Sequence, residues 1–234
     1  MIQRLVVLSL SFGISCTAYA QDAAKAKTIP EIDYVNMPFR GASREGPKTQ
    51  YAKSANGRLL PVEAFADLDA LQKALPPDDS MRSKYAKNMD GASRLPEELR
   101  NVSVVAYIHA AKLDYGIDAH GTQGDLCFQV ILGTSPKHGE GRFFTAKVSA
   151  LPKDKVDITT FSVARQQLTQ LLMYVARVPG SEFHAKFAEV DRPIKVKVAG
   201  SLLFDGDRKS GIGPDYAKAG SVWEIHPVLS IDQQ

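Results

Sequence analysis

Phe161-Ser162-Val163-Ala164-Arg165-Gln166-Gln167-Leu168-Thr169-Gln170-Leu171-Leu172-Met173-Tyr174-Val175 is the stretch on which the fold turns. Phe161, Ala164, Leu168, Leu171, Leu172 and Val175 recur at helical spacing, and Arg165, Gln166, Gln167 and Gln170 fall between them. This period predicts an amphipathic helix with one apolar stripe. Asp157 or Thr159 offers a capping oxygen at its start, and Pro179-Gly180 ends it, with a short helical stretch expected over 182–188.

Both flanks of this helix read as strands. Upstream, Val102, Val104, Ala106, Ile108 and Ala110 alternate with Ser103, Val105, Tyr107 and His109. Leu126, Phe128, Val130 and Leu132 form a second alternating set, and Phe144, Ala146, Val148 and Ala150 a third. Downstream, Ile194-Lys195-Val196-Lys197-Val198 with Leu202 to Phe204 predicts a fourth strand that bends near Gly200, and 222–231 predicts a fifth. Apolar residues on both faces imply a sheet covered on both sides for part of its length. Strand-strand-strand-helix-strand-strand is the order of an OB-fold, a five-stranded, partly open Greek-key barrel. The expected class is therefore mainly β with α (α+β), an OB-like barrel over 96–234 with an N-terminal helical extension.

The extension, 21–95, begins as a polar arm. Pro30, Pro38 and Pro47 interrupt it, and Arg40, Arg44, Lys48 and Lys53 make it basic, which predicts an extended or partly disordered segment over 21–56. Val62, Phe65, Leu68, Leu71 and Leu75 then predict an amphipathic helix over about 61–75, stopped by Pro76-Pro77. Residues 78–94 are polar again, and Pro96-Glu97-Glu98-Leu99 suits one helical turn. Ahead of all this, Arg4, the apolar run Leu5 to Ile14 and Ala18-Tyr19-Ala20 have the order of a secretory signal peptide over 1–20. Cleavage there predicts a secreted, periplasmic chain in which Cys127 is the sole thiol, a small buried apolar residue.

Composition narrows the function classes. The chain has 234 residues, 44% of them apolar and 24% charged, with a formal net charge of +3. Lysines and arginines are dispersed rather than gathered beside aromatics, which argues against a nucleic-acid interface. No apolar stretch reaches spanning length, so no transmembrane segment remains after signal cleavage. Two cysteines exclude a disulfide scaffold.

The last strand contains Ser221-Val222-Trp223-Glu224-Ile225-His226-Pro227-Val228. With Val196-Lys197-Val198-Ala199-Gly200, Leu203-Phe204-Asp205, the run from Val102 to Lys112, and Gly124-Asp125, it resembles a group of bacterial secreted OB-like proteins of unassigned function ending in a Trp-Glu-Ile-His-Pro strand. The resemblance covers about 95–232 and implies the barrel fold. The chain departs from the group in lacking a Cys-rich segment before the second strand. It also carries Cys127 about where members have the His of an Asp-x-His. No metal or catalytic role is therefore carried over to those positions.

Candidate chemistry is sparse. Glu224 and His226 lie two apart on a strand and share a face, while Trp223 and Ile225 take the other. A carboxylate beside an imidazole suits acid–base work, with Asp205 as a third member around a metal or water, or else a structural polar pair. Asp205-Gly206-Asp207 opens like a calcium loop but continues with Lys209 and Tyr216 where oxygen ligands are needed. Histidines 109, 120, 138, 184 and 226 show no metal-ligand spacing, and no cofactor fingerprint is present, so neither metal nor cofactor is expected. The loops after strands one and four flank the usual binding face of an OB barrel. They make Asp118, His120, Arg208, Lys209 and Lys218 the candidate ligand residues. The first expectation is a non-enzymatic binding module for a protein, an oligosaccharide or another envelope component. A nuclease-like or other hydrolase using Glu224, His226 and Asp205 is the second, and a structural subunit of an envelope complex, docked through its basic arm, the third.

Overall fold

The computed structural model describes residues 32–41, 44–87, 93–115, 124–153, 158–179 and 186–234. One compact unit spans Asp33–Gln234. It is an α+β protein built on a six-stranded mixed sheet. In chain order the strands are β1 (Val62–Phe65), β2 (Asn101–Leu113), β3 (Phe128–Gly133), β4 (Phe143–Val148), β5 (Ala188–Phe204) and β6 (Trp223–Gln233). The helices are α1 (Glu45–Thr49), α2 (Leu68–Lys73), α3 (Asp78–Lys87) and α4 (Ile158–Gln170). A single 3₁₀ turn, Pro96–Glu98, precedes β2. No described helix is long and apolar enough to cross a membrane.

Strands β2, β3 and β4 run as an antiparallel meander, with Leu113 opposite Phe128 and Phe128 opposite Val148. β5 pairs antiparallel with both β2 and β6, and β6 meets β4 in a short parallel contact at Thr145–Glu224 and Ala146–Ile225. One face of these strands is a continuous apolar core containing Val104, Ile108, Phe128, Val130, Phe144, Val196, Leu202, Trp223 and Ile225. α4 closes that core with Ala164, Leu168, Leu171 and Leu172. The bend of β5 falls at Gly200, where the register to β6 shifts. A Cβ at Gly200 would lie 2.5 Å from the Pro227 carbonyl oxygen, so the two backbones approach as only glycine allows.

Several expectations need correction. The helix expected over 61–75 is divided. Val62–Phe65 forms β1, parallel to Asn101–Val104 of β2, and helix begins only at Leu68. The side chain of Asp67 caps α2 by accepting from the Ala70 amide at 2.8 Å, so the chain turns into helix there and not at Pro61. The polar run after Pro76-Pro77 contains α3, which buries Met81. The arm, where described, is ordered. Phe39 donates to the Leu151 carbonyl, α1 starts after Arg44, and Tyr34, Phe39, Tyr51 and Ala52 are buried.

α4 departs from its expected wheel in two places. Arg165, placed between apolar positions, is fully buried, and Val175 is 48% exposed. A π-helical turn, Leu171–Val175, follows α4, with the Ala176 amide bonded to the Leu171 carbonyl. Its wider winding rotates Val175 off the stripe. Asp157 and most of the expected 182–188 helix lie outside the described residues, and Ala188 is already strand.

Candidate functional site

Two places concentrate polar side chains, and β6 separates them. Alternation along this strand sends Trp223 and Ile225 into the apolar core and Glu224 and His226 to the opposite face. On that face Lys147 of β4 stands beside Glu224 because Thr145 pairs with Glu224 across the parallel contact. The Lys147 ammonium lies 3.0 Å from Glu224 Oε2 and 3.4 Å from Asp205 Oδ2. Arg208 Nε adds a second cation to Asp205 Oδ2 at 2.7 Å. His226 Nδ1 is 3.5 Å from Glu224 Oε2, and its Nε2 is 3.9 Å from Cys127 Sγ. Asp125 completes the group, with Lys48 of α1 3.9 Å away and the Cys127 amide donating to it at 3.1 Å.

The arm covers this cluster. Phe39 and Met37 pack with Leu126, Cys127 and Ala150. Arg94 holds the arm down by donating to the carbonyls of Pro47, Gln50, Leu202 and His226. Arg44 forms a bidentate pair with buried Glu98, at 2.6 and 2.8 Å, and Arg165 donates to the carbonyls of Tyr34, Leu126 and Ser149. Glu224 and His226 are consequently 2% and 0% exposed.

Burial and pairing sort the protonation states. Burial raises the Glu224 carboxyl, and Lys147 offsets that only in part, leaving it at about 7. Burial raises Asp205 as well, but Lys147 and Arg208 outweigh it and hold the group down at about 2. Lys147 itself is desolvated, yet Glu224, Asp205 and Asp125 push its pKa up and keep it charged. The protonatable member of the triad is therefore Glu224. Burial, with Lys147 next, drives His226 well below its ordinary value, and burial pushes the Cys127 thiol well above its own. Imidazole and thiol rest as a neutral pair.

Glu224, His226 and Asp205 thus come together, as the hydrolase expectation required. They do so with Lys147 between them and under the arm. A carboxyl raised to about 7 is often catalytic when it faces a cleft, and this one faces buried side chains. Among the described residues no group of three or more His, Cys, Asp and Glu side chains is arranged to hold a metal ion.

The open site lies elsewhere. A cavity of about 490 Å³ is lined by α2 and the turn after it, the β3–β4 loop and the loop before β6. Leu75, Pro76, Pro77, Phe143 and Trp223 supply apolar surface, and Gln72, Asp78, Arg142, Lys218 and Ser221 the polar groups. Trp223 is fixed from behind by its Nε1, which donates to the Pro76 carbonyl at 2.9 Å, and by Phe204, 5.3 Å away edge to face. Gln72 braces the same wall through the Phe143 carbonyl.

Of the candidate ligand residues, Lys218 lines this cavity. Arg208 is committed to Asp205, and Lys209 is exposed, its carbonyl accepting from Arg82. Asp118 and His120 lie outside the described residues. Sequence reasoning missed Lys147, Asp125 and Arg94 in the cluster, and Arg142, Gln72 and Asp78 in the cavity. Lys147 carried a usable signal, as the one charged residue of a strand that is otherwise apolar but for Thr145. Comparison with protein-family models, curated proteins and solved structures finds no match for this chain.

Proposed function

We propose that this protein is a secreted, periplasmic binding module, non-enzymatic, with an OB-like barrel as its scaffold. The pairing circuit β2-β3-β4-β6-β5-β2 supports the barrel, as does α4 lying between β4 and β5. The signal-like first twenty residues support export. The ligand, an oligosaccharide, protein segment or other envelope component, would sit against the loop joining β5 to β6. The observation that carries this reading is the cavity of about 490 Å³ beside that loop, within the size range of ligand pockets and largely preformed by bonded walls. The hydrolase reading is disfavoured because its three side chains are covered and lie outside that cavity.

Saturation-transfer NMR with envelope oligosaccharides, short peptides and amphiphiles tests the assignment against Gly220→Leu. Gly220 lines the cavity and a Cβ there meets nothing within 4 Å, so a leucine adds bulk at the cavity wall without disturbing packing. Transfer to a ligand from the wild type and not from the variant supports the site. Equal transfer from both refutes it. A nuclease or esterase activity that His226→Ala abolishes in a still-folded protein would overturn the non-enzymatic reading.

A further inference from the structure

The charges around the cavity are unequal in what they leave free. Its one acid, Asp78, is spent on the wall, Oδ1 accepting from the Ser221 hydroxyl at 2.6 Å and Oδ2 from the Val222 amide at 3.1 Å. Arg142, itself exposed, is paired only with half-buried Asp69, 2.8 Å away, an arrangement that an incoming anion can share or replace. Lys218 is exposed and has no hydrogen-bonding or ionic partner among the described residues. Two cations thus stand on the cavity lining, and the rest of that lining includes Leu75, Pro76, Pro77, Phe143 and Trp223 as apolar surface.

We propose that the cavity takes a small amphiphile, an anionic carboxylate or phosphate head held by Lys218 and Arg142 and a short apolar body laid along Leu75, Pro76, Pro77 and Phe143. This rests on the reading of the cavity as the binding site and names the ligand class for it. The apolar body gains by leaving water, roughly 25 cal/mol per Å² covered, and the head by meeting Lys218, which has no acid partner among the described residues, and Arg142, whose Asp69 pair it shares. A neutral sugar would leave Lys218 unused, and a cationic ligand would face it unshielded.

The test uses the full mature chain with 1-anilinonaphthalene-8-sulfonate, an anion on an apolar body, as fluorescent reporter. The sole tryptophan lines the cavity, so energy transfer from Trp223 reports the probe. Octanoate, octyl phosphate and octanol compete for it. The expected result is displacement by octanoate or octyl phosphate well below the concentration at which octanol acts. Lys218→Ala should weaken the reporter about fivefold, the scale of one half-exposed ion pair, and Lys218→Glu further. Gly220→Leu should abolish the transfer. Whichever anion competes better identifies the head group, and preference for either supports the proposal. Octanol competing as well as the anions, with Lys218→Ala unchanged, overturns the anionic head and leaves the cavity reading standing. Reporter bound equally to Gly220→Leu overturns the cavity reading itself. Lys218 is exposed and Gly220 faces open space, so unchanged melting temperatures of the variants separate lost binding from lost folding.

Discussion

Replacing Lys147 by methionine keeps the volume of the side chain and removes the one ammonium shared by two carboxylates. Asp205 retains Arg208 at 2.7 Å, so the orphan is Glu224, 2% exposed and left with a neutral histidine. Breaking a buried pair in this way costs about 3–5 kcal/mol when the remaining charge has to stay. Here it need not stay charged. The folded-state value of Glu224 is already about 7 against an ordinary 4.5. A raised carboxyl contributes its full stability below 4.5 and loses it as pH rises through 7, a swing of about 3 kcal/mol. Without Lys147 the folded value rises further, so the variant pays little at pH 5, where Glu224 is protonated, beyond about 1–2 kcal/mol for lost bonds. At pH 8 it pays up to about 1.4 kcal/mol more, the cost of keeping protonated a carboxyl that in the wild type titrates near 7. Urea denaturation followed by Trp223 fluorescence at the two pH values measures both, and Lys147→Met with Glu224→Gln should recover most of the loss at pH 8. A Lys147→Met cost below 1 kcal/mol at pH 8, or the same cost at both pH values, would refute the assignment of Glu224 as the protonatable member.

Three further outcomes follow from the same geometry. Asp205, held at about 2, supplies roughly 2 kcal/mol that is present above its unfolded value near 4 and lost as pH falls through 2, so Asp205→Asn should lose that amount at pH 7 and show a flatter acid limb in a pH titration of stability. Arg165→Met strands the carbonyls of Tyr34, Leu126 and Ser149, and should cost at least about 3 kcal/mol and speed limited proteolysis within 32–41, while unchanged cleavage would show the arm to be held by other contacts. Gly200→Ala forces a methyl against the Pro227 carbonyl and Ile225 and should cost at least about 1–3 kcal/mol in chemical denaturation, a neutral effect meaning that the two strands separate more easily than their packing implies.

The sequence made the strands and α4 legible because each carries its own period. Val104 and Ile108 alternate, Phe161 to Leu172 recur at helical steps, and neither pattern needs a distant partner to be read. β1 failed for the converse reason. Val62, Phe65 and Leu68 happen to match a helical step, but pairing with Asn101–Val104 decides their conformation, and that contact is long-range. Arg165 looked polar on the wheel, yet it is buried because three carbonyls from separate segments converge on it. The charged cluster was half legible. Glu224 and His226 were placed on one face correctly, while their partner Lys147 is revealed only by the parallel register of β4 and β6. Of the cavity, Lys218 alone was legible as a ligand residue, since Lys218, Gly220, Ser221 and Trp223 are joined there by walls from the extension and the β3–β4 loop that are distant in sequence.

Trp223 and Glu224 are neighbours in sequence and face opposite ways, and this settles how the two polar regions relate. The tryptophan lines the cavity, while the glutamate is sealed with Lys147 beneath the arm. A ligand entering the cavity therefore meets the indole and its Pro76 bond without reaching the carboxylates. For the cluster to act on a substrate, Phe39 and the carbonyl contacts of Arg94 would have to part, which costs several buried hydrogen bonds at once. For the cavity to act, nothing has to move. That asymmetry in cost is the physical reason for assigning binding to the cavity and the seating of the arm to the charges. It also explains why Lys147 and Lys218, both lysines beside β6, are expected to fail differently when replaced: one in stability, the other in affinity.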